Sequence, residues 1–400
     1  MPLTQVAKKI LARTPGLNRL VHAVYRRRRV ARRRGEVSRA LEQDLFGMHS
    51  FDGSSYSVAH EPTIRCNLSC KMCYQANVRD DVNTMPLMNF GKELRTPEIK
   101  AMYDSMKLRF IGLVGSEIFV RKDIFQLFEH LQDHGIPYTI LTNGTLIDEK
   151  NIDILRKFAP STRRIIYSID GPREIHNTIR GTENAFDQVC HAIALTKPYF
   201  TVSVNTVILA ENLEHLEAVV TIVKDLGLPT LNLTFEEVYS AKEIARTREI
   251  LIREHGWKEG EFEISTHERD GFPYSLEHLK KRMREVRRFA ESQGVFLNFT
   301  PYTWEENLDE YYNGTAHKKL RLVCPKLLEP TARIDHLGNV LFCGVLRKGW
   351  GNLLEKPFEE IWNGEEFRDF RRTLLDGNML PICRRCCKVD SLPGKAPKGA

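Results

Sequence analysis

Between residues 58 and 235 the chain alternates β-rich runs with helical ones, and this alternation limits the fold more than any other feature. Residues 58–65 (VAHEPTIR) read as a first strand, followed by 109–114, 137–141, 164–169, 202–208 and 230–235. Apolar residues at helical spacing fill the intervals at about 97–107, 123–134, 148–157, 183–196 and 212–225. Ile124, Leu127, Phe128 and Leu131 fall on one such face, and Gly135 suits the left-handed residue that ends a helix. Six strands joined through helices by short links imply parallel βα units. Such units close towards a barrel or open into a doubly wound sheet, and either way the active site gathers at the carboxyl ends of the strands. Functional residues are therefore expected just after the strands.

A chain of 400 residues, 42% hydrophobic and 28% charged, buries a large core without disulfides. No apolar run reaches the roughly 18 residues of a membrane span, and no signal-peptide pattern opens the sequence. A cytoplasmic location is the expectation. Thiols stay reduced there, so clustered cysteines bind metal more often than they pair. Eight of the nine cysteines form two groups: Cys66, Cys70 and Cys73, then Cys324, Cys343, Cys383, Cys386 and Cys387. Cys190 stands apart in the 183–196 helix and reads as a small buried hydrophobe.

Cys66-x3-Cys70-x2-Cys73 supplies three thiolates directly after a strand. Iron–sulfur clusters normally take four cysteines, so three leave one iron with an exchangeable position, the mark of a reactive centre. The spacing alone also allows a structural zinc or cluster completed by a distant ligand. Further short motifs follow the later strands: Gly115-Ser116-Glu117, Thr142-Asn143-Gly144, Ser168-Ile169-Asp170-Gly171 and His176-x3-Arg180-Gly181, with Asn205 in the fifth strand. Singly, a Thr-Asn-Gly or an Asp-Gly is an ordinary turn. In this order, each at a strand end, they carry more weight.

Together these motifs, over about residues 58–390, resemble the radical S-adenosylmethionine (AdoMet) superfamily. The resemblance implies a partial (β/α)6 TIM-like barrel with a small C-terminal iron–sulfur-binding extension. It also implies that Cys66, Cys70 and Cys73 hold a [4Fe-4S] cluster whose open iron chelates AdoMet. One electron then cleaves AdoMet to a 5′-deoxyadenosyl radical that abstracts hydrogen from substrate. Gly115, Ser116 and Glu117 match a Gly-Gly-Glu motif in which glycines let the backbone approach the methionyl amino group. Ser116 departs from it, as does Ile118 where proline is usual. Asn143, Ser168, Asp170, Arg180 and Asn205 match further cofactor-contact positions, and no further catalytic residue is assigned. A flavodoxin or ferredoxin is the implied electron donor.

In the second group, Cys324, Cys343, Cys383 and Cys386 give four soft ligands that suit zinc or an iron–sulfur cluster equally. The pattern resembles the shortened C-terminal extension of the SPASM/twitch group, which implies one auxiliary [4Fe-4S] cluster and two clusters in all. Cys387 is an alternative ligand, a contact at the cluster edge or a plain buried thiol. A hairpin is expected at 331–343 and helices at 355–362 and 364–375.

Charge is unevenly placed. Residues 1–34 carry eleven Lys or Arg and no acid, so subtracting +11 from the chain's +7 leaves −4 for residues 35–400. Leu17, Leu20, Val21 and Val24 share a helical face beside the arginine run, a pattern that fits an anionic membrane surface or a solvated tail. Only Tyr25 interleaves aromatic character into the run, which argues against nucleic acid. The expected divisions are a basic arm (1–50), a barrel (51–236), a helical region covering the substrate (237–320), an auxiliary cluster domain (321–390) and a disordered tail (391–400). The substrate is open among peptide, sugar and lipid-linked metabolite, the arm being short and basic for a peptide-binding domain. The competing reading is a non-catalytic iron–sulfur or zinc scaffold.

Overall fold

A computed structural model describes residues 55–73, 92–265, 267–301, 304–315, 320–327, 331–375 and 379–393. It also describes helical positions 21, 23–24, 27–28, 30–32, 34–35 and 38–39. Leu17 and Leu20 of the expected basic stripe lie outside the described residues, as does the tail beyond 393. Among the described residues no helix is long and apolar enough to cross a membrane.

The first half builds successive βα units. These run β1 (Tyr56–His60), α1 (Thr96–Asp104), β2 (Leu108–Leu113), α2 (Ile124–Asp133), β3 (Tyr138–Thr142) and the short α3 (Ile152–Leu155). They continue through β4 (Thr162–Ser168), α4 (Arg173–Arg180), α5 (Ala185–Thr196), β5 (Val202–Ile208), α6 (Leu216–Asp225) and β6 (Thr230–Phe235). The six strands are parallel and lie side by side in chain order. An unbroken order winds one way round, as a barrel does; a doubly wound sheet would reverse direction at a switch point. The helices close the outside by their apolar faces. On α2, Ile124, Leu127, Phe128 and Leu131 are all buried, each contributing about 2 kcal/mol.

Residues 237–320, expected as one covering region, divide by role. After β7 (Val238–Tyr239), α7 (Ala241–Arg253) runs towards the C-terminal cysteines, where Arg385 Nε donates to Glu243 at 2.9 Å. Strands β8 (Glu263–Ile264) and β9 (His267–Glu268) are two residues each. Helix α8 (Leu276–Gln293) instead packs on α6 outside the barrel, and β10 (Phe296–Thr300) adds to β6 in parallel. This pair therefore extends the barrel, because α8 turns Leu279, Met283, Val286 and Ala290 inward at helical spacing. Helix α9 (Trp304–Asn313) follows, kinked at Asn307.

The C-terminal part opens with β11 (Leu320–Val323) and β12 (Thr331–Ile334). Strand β12 pairs in parallel with β1, and β13 (Asn339–Leu341) folds back on it as the expected hairpin. Then come β14 (Leu346–Arg347), β15 (Gly349–Asn352), α10 (Phe358–Asn363), α11 (Glu365–Leu375) and β16 (Asp390–Pro393). Strand β16 pairs with β11, so order reaches three residues into the expected tail; the ladder supplies backbone partners that composition does not reveal. The two halves share one core. Tyr56 of β1 stacks on Phe358 of α10 with centroids 4.0 Å apart.

Candidate active site

The chain leaves β1 at Glu61 and reaches Cys66, Cys70 and Cys73 at the carboxyl end of the sheet. Pro62 stops the ladder, so residues 61–66 need other partners. Arg121, buried, donates to the carbonyls of Pro62 (2.8 Å) and Leu94 (3.0 Å). Glu93 accepts from the Ile64 amide at 3.0 Å, and Ser116 Oγ donates to the Ile64 carbonyl at 2.7 Å. On the far side of the loop the Lys71 amide donates to the Ile179 carbonyl at 2.9 Å, at the end of α4. Gly181 makes that approach feasible: its φ is +71° and a Cβ there would stand 2.8 Å from the Ser69 carbonyl oxygen. Gly115, at φ +104°, likewise lets the turn after β2 lie against Glu61.

Polar groups surround the three cysteines. Asn143 Nδ2 lies 3.9 Å from Cys66 Sγ and donates to Asn67 Oδ1 at 3.1 Å. Arg180 Nη1 lies 3.6 Å from Cys70 Sγ while its Nε donates to Asp170 at 2.7 Å. Burial pushes the Cys70 thiol up, and the Arg180 guanidinium offsets part of that. Burial opposes the Arg180 charge, but Asp170 and Cys70 hold it well above its ordinary range, so it stays charged. Asp170 is fully buried; its Oδ1 accepts from the Val207 amide at 3.0 Å, and its own amide donates to His176 Nδ1 at 3.0 Å. Burial lowers His176 to about 4, so the ring is neutral.

Two of the expected cofactor-contact residues also hold the strand ends together. Glu117, the last residue of the Gly115-Ser116-Glu117 motif, has both its oxygens near Thr142 Oγ1 at 2.9 Å and accepts from the Asn143 amide at 2.7 Å. Asp170 is likewise committed to Arg180 and Val207. In both cases a buried carboxylate satisfies itself on neighbouring protein donors, here fastening one strand end to the next. Burial pushes Glu117 up to about 7. Of the others, Ser168 is half-buried beside Asn205 in the β4–β5 register, and Asn205 Oδ1 accepts from Thr234 at 3.0 Å.

The second cysteine set meets the first across one cavity of about 360 Å³. Met72, Cys73 and Gly115 line it together with Cys324, Cys343, Cys383, Cys386 and Cys387. The Cys383 thiol is pushed well up by burial and by its neighbours Cys324 and Cys343, and Cys386 by burial, Glu237, Cys387 and Cys324. For Cys387 burial and Glu237 lead, and its amide donates to Glu237 at 3.3 Å. Cys190 packs against the core. Lys326 also lines the cavity, its amine lowered to about 8 by burial.

Donor chemistry and spacing together test what these cysteines fit. Soft thiols held protonated by burial release their protons when metal binds. A tetrahedral zinc with sulfurs at about 2.3 Å brings those sulfurs to about 3.8 Å of one another. Yet no three of the nine cysteine sulfurs, all described, lie within 4.8 Å. The wider spread suits a multi-iron cluster better than one ion.

Sequence reading missed Glu61. It is buried and ion-paired with Arg333 and with Arg347, the latter at 3.1 Å, tying β1 to the C-terminal part. Burial alone would raise its carboxyl, but the two guanidinium groups hold it down at about 2. The sequence reading ran the first strand through it to residue 65, so it was not recognised as a strand-end residue.

A barrel wound in this way, with thiols at the carboxyl end of its first strand and a second set facing them, is that of an iron–sulfur enzyme. The radical SAM superfamily model matches residues 60–223, and the model of the SPASM iron–sulfur cluster-binding domain matches residues 324–387. The chain carries a radical SAM domain followed by a C-terminal SPASM domain. An AdoMet-dependent heme synthase of Methanosarcina barkeri is 27% identical over 331 residues, 78% of this chain and 84% of that one. An Fe-coproporphyrin III synthase of the same organism is 24% identical over 373 residues, 83% of this chain and 80% of its own. Among solved structures, anSMEcpe with bound AdoMet and a peptide superposes with a TM-score of 0.56 over 85% of this chain and 92% of that one. At 18% identity that likeness concerns the fold. Together these two domains imply [4Fe-4S] clusters and AdoMet as cofactors.

Proposed function

We propose that Cys66, Cys70 and Cys73 hold the cluster that serves AdoMet, that Cys324, Cys343, Cys383 and Cys386 hold the auxiliary one, and that the substrate is an anionic molecule with an apolar body seated between them. The cavity shared by both cysteine sets is the observation that carries this reading. When bound, the first cluster supplies the electron that splits AdoMet, whose carbon radical takes hydrogen from substrate.

The chain's own residues then do the rest. Arg180 places a fixed positive charge on Cys70, and Asp170 holds the guanidinium in line. Gly115, Ser116, Asn143, Ser168 and Asn205 are left as the AdoMet contacts, Glu117 and Asp170 acting behind them. Phe342, Val345, Leu346 and Leu380 make the cavity wall apolar and exclude water, while Lys326 offers it a cation. Relatives named for heme and Fe-coproporphyrin III synthesis align over about four-fifths of the chain, which favours a carboxylate-bearing tetrapyrrole over a peptide.

The test is anaerobic reconstitution followed by AdoMet, a strong reductant and iron-coproporphyrin III, with flavodoxin or ferredoxin as the alternative electron source. Release of 5′-deoxyadenosine should rise on adding the tetrapyrrole, whose mass should change in step. Cys70→Ala should abolish both. A fully loaded protein that cleaves no AdoMet sinks the catalytic reading; one that cleaves it without altering the tetrapyrrole sinks only the substrate.

A further inference from the structure

A third group of ligand-type side chains lies at the opposite end of the barrel. Asp104 is the last residue of α1, His130 is in the last turn of α2, and His134 follows four residues later. Helices α1 and α2 run back from the carboxyl ends of the strands, so the trio sits at the amino ends of β2 and β3, away from Cys66–Cys73. Asp104 Oδ1 lies 2.8 Å from His130 Nε2 and 3.5 Å from His134 Nε2, and the three atoms are all within 4.8 Å of one another.

Two observations separate this from a chance ion pair. His134 Nδ1 is 2.8 Å from the His130 carbonyl oxygen, which can only accept. Nδ1 therefore carries a proton, which leaves Nε2, on the carboxylate side, as the ring nitrogen a metal can take. Orientation by a backbone carbonyl is how metal-binding imidazoles are commonly held. The second observation is His130, whose side chain is nine-tenths buried. Its enclosed Nε2 makes no hydrogen bond although the carboxylate oxygen is near, because that oxygen lies outside hydrogen-bonding geometry. Two imidazole nitrogens and a carboxylate oxygen thus converge within ligand reach of one another.

We infer that Asp104, His130 and His134 bind a divalent first-row metal ion, zinc by ligand type. Asp104 and His134 are half exposed, which leaves a further coordination position to water. The ion ties the end of α1 to the end of α2 across the strand between them. Its role is to staple the amino-terminal face of the barrel, the face on which such folds place stability rather than catalysis.

The experiment uses cluster-loaded protein, dialysed anaerobically against zinc sulfate, with zinc and iron counted together by mass spectrometry. The wild type should take up about one zinc per chain without losing iron, and its melting temperature should rise with zinc concentration. Asp104→Asn and His134→Gln, both at half-exposed positions, should weaken that uptake by more than about tenfold. They should also lose the zinc-dependent rise in melting temperature while keeping their iron. Equal zinc uptake by all three proteins overturns the site. So does a wild type that takes up none, the result expected if His134 serves only as a charged partner of Asp104.

Discussion

Arg180 sets its Nη1 3.6 Å from the sulfur of Cys70 while its Nε is held 2.7 Å from Asp170. Asp170 carries no exposed surface, so the pair is a buried charge relay of position: the carboxylate aims the guanidinium, and the guanidinium favours the thiolate. Arg180→Met leaves Asp170 buried and unpaired, at a cost of about 3 to 5 kcal/mol. The variant should reconstitute with roughly half the wild-type iron and release no 5′-deoxyadenosine. Arg180→Lys keeps the charge but not the fork, and should recover part of both. Iron analysis and nucleoside release are the measurements; Arg180→Met behaving as the wild type would leave the contact without function.

Glu117 makes stability depend on pH in an unusual direction. Burial lifts its carboxyl from 4.5 to about 7 in the folded chain, so the folded state binds the proton more tightly than the unfolded one. Stability from this group is fully present below about pH 4.5 and is lost as pH rises through about 7. Between pH 5.5 and 8 the loss is about 2 kcal/mol. Denaturant titration of cluster-loaded protein at those two pH values should show it, and Glu117→Gln should flatten it. Equal pH slopes in the two proteins would refute the assignment.

Much of the barrel could be read because its signals are local. Residues 202–208 and 230–235 are apolar runs bounded by turns, and they are β5 and β6 to the residue. The first strand was read as 58–65 but ends at His60, since Pro62 cannot donate to a ladder. What stayed hidden depends on distant partners. Glu61 meets Arg333 across 272 residues of sequence, and no local pattern announces that pair. The motif after β2 was visible as a strand-end triplet, yet whether Glu117 faces a ligand or Thr142 is decided by the burial of its neighbours. Helix α8 looked like a cover because it is densely charged; its inward stripe of Leu279, Met283 and Val286 places it on the barrel wall instead.

The adjacent thiols Cys386 and Cys387 should differ sharply. Both lie beside Glu237, but only Cys386 also has Cys324 among its neighbours. Cys387→Ala should retain roughly eight irons per chain, and Cys386→Ala roughly four. Iron analysis with Mössbauer spectroscopy distinguishes them. The reverse pattern would move the fourth ligand to Cys387.

Lys326 is one of three cations lining the cavity, with Arg333 and Lys388, and its removal should touch binding alone. It stands in the wall shared by both cysteine sets, and its amine is lowered to about 8 by burial, so it is still largely charged near neutrality. A hydrogen bond from a charged donor in such a place is worth about 1.5 to 3 kcal/mol, or roughly 10- to 100-fold in affinity. Lys326→Met should therefore raise KM for a carboxylate substrate by that factor with kcat little changed, since the amine's neighbours include Cys324 and Cys343 rather than Cys70. Substrate-free AdoMet cleavage gives the control: it should match the wild type in Lys326→Met. Lys326→Arg should restore most of the affinity. A fall in kcat and in uncoupled cleavage together would mean that Lys326 supports the second cysteine centre rather than the substrate, and the anionic end of the proposed ligand would have to be met elsewhere in the cavity.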